Sequence, residues 1–368
     1  MTDVLIFADT LRSPEMRHEV PLPVPDPFLY VERGGDRIVV CSSLEASRIG
    51  AAGDYRVLTP EAYGVDELLR GGMSRDEAEL ECYARALSEL GVVEAAVPPA
   101  FPLELADHLR ANGIELFADR EGFQDRRRRK TPPEIEGLRR AQRACEAALD
   151  VARELLRDAE RTPVTVEEIK LEIERVFTQH GVIGEEFIVA PGAQSAVGHE
   201  MGSGPIKPGE PVVIDLFPRD RETGIYSDMT RTYCVGEPPA ELVEWHRLVK
   251  QALDETTAAT RPGVNGRDLM QMACDLFHAH GFPTPLHKEP GEVLDSGFFH
   301  GLGHGVGLEV HEAPAISRSG DDLVPGDVIT LEPGLYRPGF GGVRLEDILV
   351  VTADGAEVVT QYPYDLEP

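Results

Sequence analysis

Residues 298–312, with the sequence FFHGLGHGVGLEVHE, constrain the fold more than any other segment. They contain three of the eleven histidines and place glycine at positions 301, 303, 305 and 307. Because glycine has no side chain, such a segment lets a ligand or another backbone approach closely. A phosphate loop is not indicated, because the G-x-G-x-x-G pattern breaks at Val306 and no Gly-Lys-Ser/Thr follows. Taken alone, the segment is equally typical of a glycine-rich turn with solvated or structural histidines.

The length and the charge of the chain limit its organisation and its partners. A chain of 368 residues is long enough for about two domains, each with its own core. The net charge of −29 argues against nucleic acid or an anionic membrane as a partner, because both bind basic surfaces. The one basic run, residues 126–130, is predicted to be a solvated linker that pairs with neighbouring carboxylates.

Cysteine usage and hydropathy favour a cytoplasmic protein. The five cysteines are scattered and nowhere form C-x-x-C, as expected in a reducing compartment. The N-terminus lacks the basic segment and the apolar stretch of a signal peptide. No window reaches the roughly 18 apolar residues that a membrane-spanning helix needs. We therefore predict a cytoplasmic protein that does not enter a membrane.

The order of the predicted elements divides the chain into two domains. Residues 1–125 alternate strand-like and helix-like segments, and are predicted to form a small N-terminal α/β domain. A basic linker follows at 126–132, and residues 133–368 form the larger domain. Its first helix has a typical start at Thr131, because threonine can cap a helix and the prolines that follow fit the first turn.

The larger domain shows the same order of elements twice, with two helices followed by strands in each half. The helices are predicted near 131–152, 165–181, 239–260 and 266–280, and the strands near 186–190, 211–217, 229–235, 298–311 and 328–331. This repetition predicts an α+β fold with two pseudo-two-fold halves around a curved, mostly antiparallel sheet. A site is expected in the cleft between the halves.

Four carboxylates and one histidine lie in or beside apolar strand-like segments of this domain. They are Asp215, Asp228, His304, Glu332 and Glu346. A tight loop at 219–225 predicts that the two aspartates lie side by side on a hairpin. Carboxylates that close repel each other unless a proton or a cation lies between them. Four converging carboxylates match two divalent cations in charge, whereas each carboxylate alone is typical of a surface or a turn.

The order and the local motifs of these five residues resemble one family of metallopeptidases. It contains methionine aminopeptidase, aminopeptidase P and prolidase, and its fold is often called pita-bread. The resemblance covers about residues 131–362. Residues 1–125 are similar to the extra domain of the branch that contains aminopeptidase P, prolidase and creatinase.

The resemblance implies a dinuclear metal centre. Asp215 would bind one ion, and His304 with Glu332 would bind the other. Asp228 and Glu346 would bridge both ions. Carboxylate-rich sites with one imidazole accept manganese or cobalt, with zinc and iron as alternatives.

Two further histidines match the family around the metal ions. His199 resembles the histidine that lies over the bound substrate, and His311 resembles the one that contacts the scissile carbonyl. His311 would stabilise the oxyanion, while Glu332 would shuttle a proton between water and the leaving nitrogen. A regular strand would turn His304 and His311 to opposite faces, so we expect a bend or bulge between them.

His300 and Arg344 favour the proline-directed branch, because methionine aminopeptidases usually lack both. His300 or His199 would protonate the departing proline nitrogen, and the alternative for His300 is a strand histidine satisfied by the backbone. Arg344 is expected to share a face with Glu346 and to pair with it. One departure from the family is the 216–227 loop, which is two residues longer than expected and would change the shape of the cleft but not the ligands.

The resemblance therefore implies a dinuclear Xaa-Pro metallopeptidase, either an aminopeptidase P or a prolidase. Its substrate would be a peptide with a free N-terminus and proline second, and the enzyme would be a homodimer. One alternative is a methionine-aminopeptidase-like or other aminopeptidase of the same fold. Another is a catalytically silent partner-binding module, although such proteins commonly lose ligands. Creatinase shares the fold but resembles a metal-free protein, because it lacks the ligand set that is complete here.

Overall fold

The computed structural model describes residues 2–368, which divide into two compact units. The first unit ends at Arg127, and the second spans Arg128–Pro368. The segment predicted as a linker, 126–132, therefore begins inside the last helix of the first unit. No helix among the described residues combines the length and the hydropathy that a membrane crossing requires.

The basic run at 126–130 is less solvated than predicted. Arg126 and Arg128 pair with carboxylates, as expected for such a run. The side chains of Arg127 and Lys130, however, are only 5% and 3% exposed. A cation is stable in such a place when a carboxylate accompanies it, and the sequence does not say which carboxylate is near.

The first unit is a six-stranded mixed sheet with helices on both faces. The strands are β1 (Asp3–Ala8), β2 (Phe28–Arg33), β3 (Asp36–Val40), β4 (Arg56–Leu58), β5 (Glu94–Val97) and β6 (Glu115–Ala118), and the helices are α1 (Pro14–Glu19), α2 (Ser43–Ala52), α3 (Val65–Arg70), α4 (Arg75–Glu89), α5 (Leu103–Ala111) and α6 (Arg120–Arg128). The strand order is β4-β3-β2-β1-β5-β6. Consecutive residues of β1 point to opposite faces, so that Leu5 and Ile6 belong to two different apolar cores.

The second unit contains four long helices and twelve strands among the described residues. The helices are α7 (Pro132–Asp158), α8 (Val166–Gln179), α9 (Ala240–Ala259) and α10 (Gly266–Ala279). The strands are β7 (Val182–Ile183), β8 (Ile188–Pro191), β9 (Pro211–Leu216), β10 (Arg219–Asp220), β11 (Met229–Cys234), β12 (Gly303–Gly305), β13 (Glu312–Ile316), β14 (Val328–Leu331), β15 (Gly334–Arg337), β16 (Gly341–Arg344), β17 (Asp347–Val351) and β18 (Ala356–Val358).

The helices begin where the sequence predicts, because the capping residues are local. Thr131 and Glu134 form a capping box at the start of α7, and Thr165 and Glu168 form another at the start of α8. In a capping box each side chain binds a backbone N–H group that the helix leaves unpaired. These two helices pack together over one face of the first half of the unit.

The predicted repetition of elements appears as two antiparallel sheets, each with its own pair of helices and its own core. The sheet of the first half has the order β11-β9-β8, and that of the second half has the order β13-β12-β14-β17-β18. Side-chain hydroxyls join the halves. The Oγ1 atom of Thr232 donates to the Arg344 carbonyl at 2.8 Å and accepts from the Arg344 N–H at 3.0 Å.

The strand predicted at 298–311 is wrong over most of its length, because only Gly303–Gly305 pair as a strand. The pairing register of β12 with β13 shifts after His304, and the chain then turns before β13 begins. The bend expected between His304 and His311 is therefore confirmed. Its glycines have a packing role, since a Cβ atom on Gly303 would lie 2.0 Å from the Thr330 carbonyl oxygen.

Arg231 of β11 ties the C-terminal segment to the second half. It has no solvent exposure, and its guanidinium binds Asp347 at 2.9 Å. The same group donates to the carbonyl oxygens of Glu346, Tyr362 and Pro363 at 2.8, 3.1 and 2.9 Å. One side chain therefore satisfies groups from two separate stretches of the chain, 346–347 and 362–363.

We predict that Arg231→Met lowers the free energy of unfolding of the second unit by about 3–5 kcal/mol, because it removes the cation from the buried Asp347 carboxylate, whose remaining side-chain partner is the Tyr364 hydroxyl. Urea unfolding followed by the fluorescence of Trp245, the only tryptophan, measures this unit. Arg247→Met is the matched control, since its pair with Glu244 is about half exposed and should contribute no more than about 0.5 kcal/mol. Equal effects of the two substitutions would contradict the role given to Arg231.

Candidate metal centre

The first half of the second unit brings two of the predicted ligands to one face of a hairpin. Asp215 in β9 lies directly opposite Thr230 in β11. Asp228 precedes Thr230 by two residues and therefore points to the same side. This is the arrangement that the tight loop predicts.

The second half supplies the remaining three ligands. His304 lies in β12, Glu332 follows β14, and Glu346 lies between β16 and β17. The Nε2 atom of His304 is 3.7 Å from Asp228 Oδ2 and 3.7 Å from Glu332 Oε1. One ligand atom each from Asp228, His304 and Glu346 lies within 4.8 Å of the other two, close enough to share an ion.

The carboxylates of this cluster are strained electrostatically. Burial raises the pKa of Asp228 and of Glu346 well above the usual range, and neighbouring carboxylates raise both further. Burial also raises the pKa of Glu332 to about 8. Negative charges held together away from water favour protonation unless cations are present.

His304 presents a free lone pair to the cluster. Its Nδ1 atom is 3.1 Å from the Gly305 carbonyl oxygen, which can only accept, so Nδ1 carries the proton. Burial lowers the pKa of His304 to about 3, and the ring is neutral. Nε2 therefore faces Asp228 and Glu332 unprotonated, which is the state that binds a metal ion.

Arg344 binds Asp215, which corrects the expected pairing with Glu346. Its guanidinium donates to Asp215 Oδ2 at 2.6 Å. Glu346 is held by the Thr230 hydroxyl instead, which donates to Glu346 Oε2 at 2.7 Å. Arg344 and Glu346 both reach the Thr230 hydroxyl, as a shared face requires, but the guanidinium extends to Asp215 of the first half, which the local sequence does not indicate.

A phenol missed by the sequence analysis completes this network. The Tyr336 hydroxyl accepts from Arg344 at 3.0 Å and lies 2.9 Å from His300 Nε2. Burial raises the pKa of Tyr336 to about 12, so the hydroxyl stays protonated and donates to His300. The sequence offered only a weak signal for Tyr336, namely the glycine two residues before it. The Tyr336 side chain occupies the space that a Cβ atom on Gly334 would need.

Both ring nitrogens of His300 are occupied. Nδ1 donates to the Gly301 carbonyl at 2.7 Å, and Nε2 accepts from Tyr336. Burial lowers the pKa of His300 to about 3, and the charge of Arg344 lowers it further. The alternative, a histidine whose hydrogen bonds are made only to the backbone, thus holds for Nδ1 but not for Nε2. Nδ1 is also 3.9 Å from Glu332 Oε2, which places His300 beside the cluster.

His311 and His199 border the cluster on its open side. The ring centroid of His311 is 4.2 Å from that of His304. Partial burial lowers the pKa of His311, and the nearby His199 lowers it further. Both residues are exposed, as groups that meet a substrate must be. The structure brings all nine predicted site residues to one region.

The longer loop at 216–227 is folded onto α7. Its strand β10 pairs with β7, and Arg140 of α7 grips Asp220 with two hydrogen bonds of 3.1 and 2.9 Å. The loop therefore packs against the helix, while Asp215 and Asp228 lie on the hairpin.

The residues present fit divalent cations. Asp215 Oδ1 is buried and has no hydrogen-bond partner among the described residues, although an unpaired buried carboxylate oxygen is costly. Among the described residues, Arg344 is the one cationic side chain that pairs with any of the four carboxylates, and its partner is Asp215. A donor set of carboxylate oxygens with one imidazole nitrogen suits hard or borderline divalent ions.

Comparisons with known proteins identify the family of the chain. Residues 136–353 match the model of metallopeptidase family M24. The Xaa-Pro dipeptidase of Pyrococcus furiosus is 34% identical over 241 residues. These residues are 64% of this chain and 64% of that protein, so the match spans slightly under two thirds of its length. The Xaa-Pro dipeptidase of Pyrococcus horikoshii is 31% identical over 76% of this chain and 75% of its own.

The fold agrees over the whole chain. The crystal structure of the prolidase from Pyrococcus horikoshii superposes with a TM-score of 0.80 and 25% identity, over 100% of this chain and 95% of that one. The α+β pita-bread fold predicted from the sequence is therefore confirmed. This chain belongs to metallopeptidase family M24, and it is a metallopeptidase.

Proposed function

We propose that this metallopeptidase removes the N-terminal residue from peptides whose second residue is proline. The observation that carries the proposal is the cluster of four carboxylates and one neutral imidazole in a chain of family M24. The names of the similar proteins, both Xaa-Pro dipeptidases, support the choice of proline.

Two divalent cations would occupy the cluster, with manganese or cobalt as the first candidates and zinc or iron as alternatives. Asp215 would hold one, and His304 with Glu332 the other. Asp228 and Glu346 would lie between them and bind both. When bound, such cations supply Lewis-acid chemistry, which polarises a carbonyl group and makes water reactive near neutral pH.

The side chains around the cluster would perform the remaining steps. His311 borders the open side, where its ring N–H would donate to the oxygen that becomes negative as the carbonyl is attacked. Glu332 Oε1 or Oε2 would take a proton from water and pass it to the leaving nitrogen. The negative edge of the cluster would bind the α-amine of the substrate, which selects peptides with a free N-terminus.

Proline as the second residue imposes two requirements. An Xaa-Pro bond has no N–H group, so the enzyme must bind the scissile amide without one. The proline nitrogen must also gain a proton as the bond breaks, which requires a donor on that side. Glu332 would deliver this proton, and His199, on the open side, is the alternative donor. His300, whose two ring nitrogens are occupied, would instead line the site beside Glu332.

Two alternatives make different predictions. A methionine-aminopeptidase-like enzyme would prefer small second residues over proline. A silent partner-binding module would bind metal without hydrolysing any peptide, but the retention of all five candidate ligands supports an active enzyme. Matched Met-Pro and Met-Pro-Ala substrates separate a dipeptidase from an aminopeptidase that accepts longer peptides.

We also propose a cytoplasmic location and a homodimer. All five cysteines are buried and free, which supports a reducing compartment. The dimer rests on the resemblance to the proline-directed branch. Sedimentation equilibrium should give twice the chain mass of 40.3 kDa.

The first prediction from this proposal concerns the bridging carboxylates. Asp228→Asn and Glu346→Gln should each lower the metal content below two ions per chain and abolish turnover, because each removes a charge shared by both ions. Elemental analysis and peptide hydrolysis measure the two effects. Asp220→Asn is the control, since this buried carboxylate of the same loop pairs with Arg140 and should keep both ions. Full activity with two ions in either bridging variant would refute the assignment.

The second prediction separates the oxyanion donor from the metal ligands. His311→Ala should keep the metal content and lower kcat by about 10²–10³, the usual effect of removing one such donor. His180→Ala, at the exposed end of α8, is the control and should leave kcat unchanged. Loss of metal together with activity would show that His311 is a ligand.

The third prediction concerns specificity. Xaa-Pro substrates should be hydrolysed at least about tenfold faster than matched Xaa-Ala substrates, a difference of about 1.4 kcal/mol in transition-state binding. His300→Ala should erase most of this preference while both metal ions remain bound. Comparison of kcat/KM for Met-Pro and Met-Ala measures it. Faster cleavage of Met-Ala-Ser than of Met-Pro and Met-Pro-Ala would favour the methionine-aminopeptidase alternative.

A further inference from the structure

The last cation of the basic run lies inside the second unit rather than in solvent. The Lys130 ammonium binds Glu312 Oε1, and both side chains are only 3% exposed. The two residues are 182 positions apart in the sequence. Glu312 directly follows His311, so the pair connects the start of α7 to the segment that carries the proposed oxyanion donor.

The Glu312 carboxylate lies within the turn at 306–311. Its Oε2 atom is 3.4 Å from the backbone nitrogen of Glu309, which donates to it. Its Oε1 atom lies where a Cβ atom on Gly307 would be only 2.3 Å away. The turn therefore folds around this carboxylate, and a side chain at position 307 would displace it.

The His311 ring depends on this turn for its direction. Within residues 2–368 the ring makes no hydrogen bond, and its one ring contact is the edge-on approach to His304. An exposed ring without such bonds is oriented by its own backbone. Whatever holds the backbone at 306–311 therefore holds His311 over the cluster.

Lys130 is itself firmly placed. It directly precedes Thr131, the N-cap of α7, whose capping box fixes the local backbone. Two residues earlier, Arg128 binds both oxygens of Asp327 at 2.9 and 2.7 Å, and Asp327 has no exposed side-chain surface. The Lys130 backbone is thus fixed on both sides, by the α7 capping box and by the Arg128–Asp327 pair.

We propose that Lys130 is a positioning residue for the peptidase reaction. It neutralises and holds the Glu312 carboxylate, and through it the turn that aims His311 at the scissile carbonyl. The inference rests on the proposed role of His311. A catalytic group displaced by about 1 Å loses roughly 10²-fold in rate, so a distant support can matter as much as the donor itself.

The first test does not depend on activity. Lys130→Met leaves Glu312 buried without its cation, and hydrogen–deuterium exchange of a peptide covering 306–312 should accelerate at least tenfold in the metal-free protein. Lys207→Met is the matched control, because its pair with Glu210 is exposed, and it should leave the exchange unchanged. Unchanged exchange in a folded Lys130→Met protein would overturn the inference.

The second test is a double-mutant cycle with His311. Lys130→Met should lower kcat about 10²-fold with little change in KM, because the oxyanion forms only in the transition state. In the His311→Ala background the same substitution should lower kcat less than about twofold. Equal reductions in both backgrounds would show that Lys130 acts independently of His311 and would overturn the inference.

Two further variants keep the test decisive. Lys130→Arg retains the cation and should recover most of the rate lost in Lys130→Met, whereas a general packing role would not favour arginine. If Lys130→Met does not fold, Glu312→Gln replaces it, since the amide keeps the size of the side chain and removes its charge. A wild-type protein that hydrolyses no peptide would refute the proposed function, while the exchange measurement would still test the turn.

Discussion

The mutual repulsion of four carboxylates is the constraint on which the second unit depends. Asp215, Asp228 and Glu346 are at most 8% exposed, and Glu332 lies beside them. Arg344 offsets one charge through Asp215, and a hydroxyl donates to Glu346. The remaining charge requires protons or cations. A fold that gathers these groups away from water is therefore built for divalent ions, and the proposed chemistry follows from that requirement.

The junction of the two halves explains why the site can be held so closely. Each half alone provides only some of the ligands, and the hydroxyls of Thr230 and Thr232 connect the strands that carry them. Arg231 adds a buried connection to the C-terminal segment. Two further sets of contacts surround the ligands. Hydrogen bonds connect Arg344 through Tyr336 to His300, and the Lys130 ion pair holds the turn before β13. Ligand geometry and the aim of the surrounding histidines thus depend on separate buried ion pairs and hydrogen bonds.

Local signals allowed much of this to be predicted from the sequence. The capped starts of α7 and α8, and the hairpin that carries Asp215 and Asp228, depend on neighbouring residues and were recovered. The strand expected at 298–311 was wrong, because glycines that permit close packing look the same in a strand and in a turn. The partners of Arg344 and Lys130 could not be foreseen, since they lie 129 and 182 positions away and are chosen by tertiary packing. Thr230 could have been identified from the sequence. It follows Asp228 by two residues, so its side chain points to the same face of the strand.

The central claim is that the carboxylate cluster holds two cations that the reaction needs. The most direct measurement is a titration of metal-stripped protein with manganese or cobalt, with bound metal and Met-Pro hydrolysis followed together. The account predicts that activity is absent without metal and reaches its maximum at two ions per chain. Maximal activity at one ion per chain, or hydrolysis by protein that holds no metal, would contradict it.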